Sequence, residues 1–182
     1  AYELIPYEVD ENDLSAVHVA ASLGENIEQV FKTLVLHGDK SGYFVCVIPG
    51  EHEVDLKLAA KASGNKKCEL IPVKELLPLT GYIRGGCSPI GMKKHFPTYI
   101  HETSQQFPYI YVSAGVRGLQ IKIAPEDLIR QIVREESSGA PMSLEVEQPI
   151  QLLLDGEVIY RTVTRIKANR GASVSSKFAE EY

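Results

Sequence analysis

The chain has 182 residues, of which 44% are hydrophobic, 8% aromatic and 24% charged, and its net charge is -5. A globular chain of this size buries roughly 70% of its unfolded surface, so it needs neither disulfides nor a structural metal. The longest apolar run, Tyr43 to Ile48, is far shorter than the roughly 20 residues of a membrane-spanning helix, and no leader sequence opens the chain. Cys46, Cys68 and Cys87 match neither a disulfide framework nor paired metal ligands. We therefore expect a cytoplasmic protein.

Hydrophobic periodicity and turn residues predict the elements of the first half of the chain. Gly24 and Gly64 are expected to end two helices, and the polar segment His37 to Gly42 predicts a hairpin between two strands. The predicted strands are Tyr2 to Tyr7, Phe31 to Leu36, Tyr43 to Ile48 and Cys68 to Val73, and the predicted helices are Ser15 to Leu23 and Val54 to Ser63.

A Gly/Pro-rich stretch without a predicted element follows, and then three strands and a helix. The strands are Tyr99 to His101, Tyr109 to Val112 and Leu119 to Ile123, and the amphipathic helix is Pro125 to Glu136. This order predicts a mixed α/β fold with a largely antiparallel or mixed sheet. Residues 1–136 are expected to form one domain.

Residues 137–182 read as a linker followed by a C-terminal β-hairpin extension of unknown role. Ser137 to Pro141 is the linker, and Asp155-Gly156 is a two-residue hairpin turn between the predicted strands Ile150 to Leu154 and Glu157 to Thr164. A lone hairpin is only marginally stable in water. The extension is therefore expected to dock on the main sheet, to pair with another chain, or to remain mobile.

The charge is unevenly distributed along the chain. Leu76 to Pro125 carries five bases and one acid, a net charge of +4, which leaves 23 acids and 14 bases, a net charge of -9, in the rest. Six glycines interrupt the basic segment. Flexible backbone beside cations suits the binding of phosphate or another anion, although a solvated basic face would look the same.

Lys32 is the most informative single residue. Strand alternation turns Phe31 and Thr33 to one face and Lys32 and Leu34 to the other, and both faces look buried. Burial of a lysine is unfavourable unless an anion or acceptors receive it. Lys32 either extends past the strand end to a carboxylate or to water, or reaches into a pocket and binds a phosphate or a carbonyl group.

Two glycine-containing loops are the other candidate features. Gly85 and Gly86, followed by Pro89, could present amide N–H groups to an oxyanion or a ribose, although a purely structural loop has the same composition. Ser113 to Gly118 leaves room for a ligand, and Arg117 could bind a phosphate there or simply be an exposed turn residue. Neither loop has the spacing of a P-loop or of a dinucleotide fingerprint.

The patterns that would indicate a nucleophile or a metal site are less specific than the two loops. Cys87 and His95 could form a nucleophile and base, but no orienting acid lies near them in the sequence. The five histidines are scattered singly and have no metal-ligand spacing, so we predict neither a metal site nor a cofactor.

Three separated motifs, in order, resemble the YbaK-type aminoacyl-tRNA deacylases and the related editing domain inserted in bacterial prolyl-tRNA synthetases. They are Val30-Phe31-Lys32-Thr33-Leu34, then Thr80-Gly81-Tyr82 with Gly85-Gly86-Cys87-Ser88-Pro89-Ile90-Gly91, then Tyr111-Val112-Ser113-Ala114-Gly115 with Arg117-Gly118-Leu119. The resemblance covers Tyr2 to Glu136. It implies a barrel-like mixed sheet flanked by helices, and the removal of a wrong amino acid from the 3′ acceptor end of a tRNA.

The resemblance also implies roles for individual residues. Catalysis falls to Lys32, Gly85, Gly86 and Ser88, and substrate binding to Tyr7, Cys87, Pro89, Ser113, Ala114, Gly115, Arg117 and Gly118. Some family members have an acid where this chain has Gln120, which cannot act as a base. The family usually has a helix before the first strand, so a truncated chain is also expected.

The expected function is trans-editing of tRNA(Pro) or a similar tRNA, with cysteine as the favoured substrate and alanine as the second. A prolyl-tRNA synthetase is a further expected partner, whereas DNA and membranes are not. Lys32 would bind the ribose, phosphate or ester carbonyl, and the loop amides would stabilise the developing charge. The alternatives are a catalytically silent RNA-binding relative and a hydrolase that uses the thiol of Cys87.

Overall fold

The computed structural model describes residues 1–137, 144–145, 159–162 and 165–166. Within them lie ten strands, four α-helices and two 3-10 turns, Ile27–Gln29 and Glu102–Gln106. The strands are β1 (Tyr2–Pro6), β2 (Phe31–Gly38), β3 (Gly42–Pro49), β4 (Cys68–Leu70), β5 (Thr98–His101), β6 (Ile110–Ser113), β7 (Leu119–Ile123), β8 (Leu144–Glu145), β9 (Ile159–Thr162) and β10 (Arg165–Ile166). The helices are α1 (Ala16–Leu23), α2 (Leu56–Ala62), α3 (Val73–Thr80) and α4 (Pro125–Ser137).

Two main sheets organise the domain. One has five strands in the order β4-β2-β3-β5-β9, and the other has three in the order β1-β7-β6. Only β3 and β5 pair in parallel within these sheets, so the predicted mixed α/β architecture is confirmed. Within the described residues, the sheets meet at one isolated parallel bridge, between Val30 and Tyr111, and do not close into a barrel.

Local capping explains why the helices begin and end where the sequence predicts. The hydroxyl of Ser15 accepts a hydrogen bond from the amide of His18, and Gly24 adopts a left-handed conformation with φ 69° at the end of α1. Asp55 caps α2 by accepting bonds from the amides of Lys57 and Leu58.

Helix α3 was not predicted, and the strand expected from Cys68 to Val73 is shorter than expected. Pro72 precedes the helix and Pro78 lies inside it, where proline removes a backbone donor and normally breaks a helix. Gly81, with φ 85°, ends the helix and donates to the carbonyl oxygen of Leu77 at 2.9 Å. Pro78 removes one hydrogen bond within this helix.

The core lies on both faces of the five-stranded sheet. On one face, apolar residues of β2, β3, β5, β6 and β7 pack with Leu128 and Ile132 of α4. On the other face, α1 covers one end of the sheet and α2 the other. The predicted alternation of β2 is confirmed, since Phe31 and Val35 face α4 whereas Leu34 and Leu36 face α2.

Part of the C-terminal extension joins the main sheet. Strand β9 pairs antiparallel with β5, and β8 pairs with β10. Docking on the sheet is therefore the alternative that β9 supports. The predicted turn Asp155-Gly156 and the strand Ile150 to Leu154 lie outside the described residues.

Candidate active site

A row of side chains crosses the sheets on the face that carries α1 and α2. Lys32 of β2 lies opposite Ile48 of β3 in antiparallel register. The parallel pairing of Val47 with Ile100 brings His101, one residue further along β5, beside Ile48 on the same face. Lys32, Ile48 and His101 therefore occupy adjacent strands of one row.

The bridge between the sheets extends this row in the other direction. Val30 and Tyr111 lie side by side in parallel strands. Lys32 and Ser113 each follow by two residues, so they also lie side by side, on the same face as Val30 and Tyr111. Ser113 lies opposite Gln120 of β7. The complete row therefore reads from Gln120 through Ser113 and Lys32 to Ile48 and His101.

In the groove between the two helices, Ser113 and Lys32 of this row are partly exposed, whereas the other three residues are buried. Ala20 of helix α1 packs against Val30, which lies two residues before Lys32 on the same face of the sheet. Ala59 of helix α2 packs against Leu36, which lies four residues after Lys32 on that face. Lys32 thus lies between two helix-covered zones of the sheet, where a small ligand could reach it.

The ammonium group of Lys32 is unpaired. The residue is half-buried, and it forms no hydrogen bond or ion pair with any other residue that the structure describes. A partly desolvated cation without a partner is unfavourable and favours binding of an anion or a polarised carbonyl oxygen. The structure therefore shows no carboxylate partner for Lys32 among the described residues, and ligand binding by Lys32 stays a prediction.

The glycine-rich loop that follows α3 is held together by its own hydrogen bonds. The hydroxyl of Tyr82 donates to the carbonyl oxygen of Ile90 at 2.7 Å, and the amide of Gly86 donates to that of Ile83 at 3.0 Å. The amide of Gly91 donates to a carboxylate oxygen of Glu135 at 2.8 Å. This bonding makes the loop a rigid element.

The structure brings this loop into contact with the second predicted loop, Ser113 to Gly118. A Cβ added at Gly86 would lie 3.3 Å from backbone atoms of Val116 and Arg117. Gly115 has φ +94°, and a Cβ there would lie 2.7 Å from the ring of Tyr82. Glycine at both positions therefore permits close approach of the two loops.

Arg117 connects these loops. Its guanidinium donates two hydrogen bonds to the carbonyl oxygen of Arg84, at 3.1 and 3.0 Å, and forms an ion pair with Glu11. These contacts hold the guanidinium in a structural position. Phosphate binding by Arg117 stays a prediction.

Other predicted binding residues surround the same region. The amide of Tyr7 donates to the carbonyl oxygen of Gly118 at 2.9 Å, and the ring of Tyr7 packs in the cluster that contains Val30. Ala114 packs on the opposite side, against the core that faces α4. Pro89 is buried in the glycine-rich loop. Their contact with substrate also stays a prediction.

The loop offers fewer amides to an oxyanion than its sequence implies. The amide of Gly86 is already bonded to Ile83. Within the described part of the chain, the amides of Gly85, Cys87 and Ser88 have no hydrogen-bond acceptor. Those three remain the candidates for charge stabilisation.

Cys87 is poorly suited to act as a nucleophile. Burial raises the pKa of its thiol to about 12, so the thiol stays protonated near neutral pH. The side chain packs against the core, and it forms no hydrogen bond with His95 among the residues described. His95 instead lines a separate depression with Pro89 and Met92.

Sequence reasoning missed the full extent of the row. Gln120 is only 5% exposed, and its Oε1 has no hydrogen-bond partner in the described structure, so it remains an available acceptor. His101 is buried, and its ring lies 6.0 Å from that of His52, measured between centroids. His101 belongs to no motif, and Gln120, which follows the third motif, was expected only to lack the function of a base. Only the strand register, which the sequence does not reveal, places both in line with Lys32.

The described residues include neither a metal-binding cluster nor a membrane-spanning helix. No group of three or more His, Cys, Asp or Glu side chains there could hold a metal ion. None of the helices found there combines the length and hydrophobicity that crossing a membrane requires.

An unpaired, half-buried lysine in a groove of the sheet is the kind of site that can bind and polarise the carbonyl group of an acyl ester. Comparison with known proteins agrees with this class. The family described as aminoacyl-tRNA editing domain matches residues 10–131. The chain therefore belongs to the aminoacyl-tRNA editing domain family.

Individual relatives agree with this assignment. The chain is 56% identical over 128 residues to an Enterococcus faecalis protein with the provisional name Cys-tRNA(Pro)/Cys-tRNA(Cys) deacylase EbsC, covering 70% of this chain and 78% of the relative. A crystal structure described as a provisional trans-editing enzyme for prolyl tRNA synthetase shares the fold, with TM-score 0.65, 23% identity, and coverage of 72% of this chain and 82% of that one. The hypothetical protein APE2540 matches with TM-score 0.65 and 21% identity, covering 72% of this chain and 85% of that one.

Proposed function

We propose that this protein is a trans-editing deacylase that removes cysteine from the 3′ end of tRNA(Pro) or a similar tRNA in the cytoplasm. The observation that carries the proposal is the unpaired, half-buried ammonium of Lys32 in the groove between α1 and α2. Membership of the editing family and the 56% identity to a relative named for Cys-tRNA support the substrate. Alanine is the second candidate amino acid.

Physical chemistry gives a reason for such an activity. A synthetase pocket that accepts proline discriminates weakly against other small amino acids, because one methylene changes binding by only about 1–3 kcal/mol. A second site that hydrolyses the wrong ester corrects the error. The ester is already activated, so the protein needs to orient the attacking group and stabilise the developing negative charge.

The described residues suggest which groups bind the substrate and which stabilise the developing charge. Lys32 binds the ester carbonyl or the ribose, and the free amides of Gly85, Cys87 and Ser88 stabilise the developing oxyanion. Gln120 lies two strands from Lys32, so the two backbones are roughly 10 Å apart, and its Oε1 is an acceptor that can bind the substrate ammonium or thiol. The acyl bond to the ribose oxygen breaks, and that oxygen leaves with a proton.

The attacking group is water or the thiol of the substrate cysteine, because attack by the neighbouring ribose hydroxyl would only move the ester to that hydroxyl and release nothing. Attack by the thiol would release a cyclic thioester, whereas attack by water releases the free amino acid. A tRNA charged with S-methylcysteine separates these routes, because methylation blocks only attack by the thiol. Unchanged release from that substrate would exclude thiol attack.

The principal experiment follows ester loss from tRNA charged with cysteine, alanine or proline. We expect cysteine to be released fastest and proline to be retained. Lys32→Ala should abolish release, whereas Lys61→Ala, on the exposed side of α2, should leave it unchanged. Loss of activity with Cys87→Ser but not with Lys32→Ala would support the thiol hydrolase instead.

Absence of any release, together with salt-sensitive tRNA binding, would support the silent RNA-binding alternative.

A prolyl-tRNA synthetase as delivery partner belongs to the proposal and has its own test. Added synthetase should raise the rate of release from Cys-tRNA(Pro) at limiting tRNA concentration. No change in rate would remove the synthetase from the proposal.

A further inference from the structure

An open depression lies at the end of the row beyond Lys32. It is small and opens to solvent. Its walls come from the end of β3, the loop before α2, the first part of α2 and the end of β5. The lining residues are Ile48, His52, Glu53, Val54, Asp55, Leu58 and His101.

The hydrogen bonds of His101 determine which ring nitrogen carries its proton. The amide of Thr103 donates to Nδ1 of His101 at 3.3 Å, and the Thr103 hydroxyl lies 2.9 Å from the same atom. Nδ1 is therefore an acceptor, and the proton of the neutral ring lies on Nε2. Nε2 has no hydrogen-bond partner within the described residues, so its N–H is free to bind a ligand in the depression.

The lining favours a flat, uncharged ligand with both donors and acceptors. Ile48, Val54 and Leu58 form an apolar wall, while the carboxylates of Glu53 and Asp55 accept hydrogen bonds and repel a phosphate. An ammonium group would be attracted to the carboxylates, but it has no acceptor for the N–H of His101 and no apolar face. A purine with an exocyclic amino group satisfies all three features.

We propose that this depression binds the adenine base of the 3′-terminal nucleotide of the tRNA. The proposal rests on the proposed function and adds the position of one end of the substrate. Lys32 and His101 lie two strand spacings apart, roughly 10 Å, a separation that an aminoacylated ribose with its base can bridge. The ester then lies at Lys32, and the amino acid extends toward Ser113 and Gln120.

Binding of uncharged RNA tests the adenine site without any need for catalysis. The probes are acceptor-stem hairpins that end in CCA, in CCC, or in CC followed by purine riboside, which lacks the amino group. Fluorescence anisotropy gives the dissociation constants. We expect the CCA hairpin to bind about 3- to 10-fold more tightly than either of the others, which corresponds to one or two neutral hydrogen bonds.

Variants of this chain locate that preference. His101→Asn keeps an acceptor for the amide of Thr103 but removes the N–H that faces the depression, and it should bring the three hairpins within about 2-fold of one another. His37→Ala is the control, since His37 is exposed at the far end of β2. Equal binding of all three hairpins by the unaltered protein would overturn the proposal, and this result does not depend on whether a variant folds.

Deacylation of Cys-tRNA, measured on the same proteins, distinguishes failure of the site from failure of the function. Release of cysteine without any adenine preference would reject the adenine site and retain the deacylase. Adenine preference without release would reject the deacylase and retain the site. An effect of His101→Asn on charged hairpins alone would place the aminoacyl group in the depression and overturn the proposal.

Discussion

A Cβ added at Gly50 would lie only 2.3 Å from the Cβ of Ala16, the first residue of α1. Gly50 also donates a hydrogen bond of 2.7 Å to the carbonyl oxygen of Val30. These two contacts hold the first residue of α1 close to Val30, just before β2. Lys32 follows Val30 by two residues. The width of the groove therefore depends on a glycine that belongs to none of the recognisable motifs.

Gly50→Ala should push α1 away from the sheet. We expect the free energy of unfolding to fall by about 1–3 kcal/mol, the usual cost of overpacking, and KM for Cys-tRNA to rise. Urea denaturation measures the first effect and steady-state deacylation the second. Ala16→Gly combined with Gly50→Ala should recover part of the stability, because the added Cβ would still lie 2.9 Å from the carbonyl oxygen of Val30. No recovery at all would contradict the proposed contact with Ala16.

Lys32 is expected to reduce stability while supporting activity. Lys32→Met removes an unpaired, half-buried charge, so the free energy of unfolding should stay equal or rise by up to about 1 kcal/mol. Deacylation should fall about 100-fold or more if the ammonium stabilises developing charge. Lys61→Met provides the matched change on an exposed helix surface. A large loss of stability in Lys32→Met would instead indicate a structural role.

Arg117 is expected to act mainly by joining the two loops. Lys at this position keeps the charge but cannot donate the paired hydrogen bonds to the carbonyl oxygen of Arg84, so Arg117→Lys should lower the free energy of unfolding by about 1 kcal/mol. tRNA affinity and its salt dependence should change little.

Glu11→Gln tests the same residue from the other side, because it releases the guanidinium from its ion pair. Tighter, more salt-sensitive tRNA binding in Glu11→Gln would show that Arg117 binds phosphate. Unchanged binding would agree with the role in joining the loops.

The thiol of Cys87 should be unreactive in the folded protein. With a pKa of about 12, only about one thiol in 10,000 is ionised at pH 8. Iodoacetamide labelling followed by mass spectrometry should modify the half-exposed Cys68 first and Cys46 and Cys87 slowly, whereas the unfolded chain should react at all three. Cys87→Ser should retain deacylation within about 2-fold. Rapid labelling of native Cys87 would reopen the nucleophile hypothesis.

The elements that the sequence predicted share strong local signals. Ser15 and Gly24 define α1 without any tertiary information, and β2 alternates clearly between two apolar faces. Helix α3 was missed because Pro72 and Pro78 are local signals against a helix. Local propensity therefore succeeded where tertiary contacts agree with it.

The residues of the candidate site also fall into those with a local sequence signal and those without one. Lys32 stands out in the sequence because a lysine in a buried strand is unfavourable, and the glycine loops stand out by composition. Gln120 and His101 carry no such signal, since their importance comes from pairing between distant strands. A sequence gives the facing direction of a side chain within its own strand, but not which strand lies beside it.

His101 should make the stability of the protein depend on pH. Burial, and then the nearby His52, lower the pKa of His101 from 6.5 to about 4 in the folded state. Between these values the unfolded chain binds more protons than the folded one, so stability should be full above pH 6.5 and fall as the pH drops toward 4. The contribution of His101 to this loss is about 1–3 kcal/mol.

The measurement compares urea unfolding at pH 7 and pH 4.5 for the unaltered protein and for His101→Asn. The asparagine does not titrate in this range, so the variant should lose less stability between the two pH values, by the contribution of His101. His37→Ala is again the control, because His37 is exposed and lies at the far end of β2. An equal loss of stability in His101→Asn and in the unaltered protein would mean that His101 is not held neutral in the folded state, and the Nε2–H assigned to the adenine site would then need an independent basis.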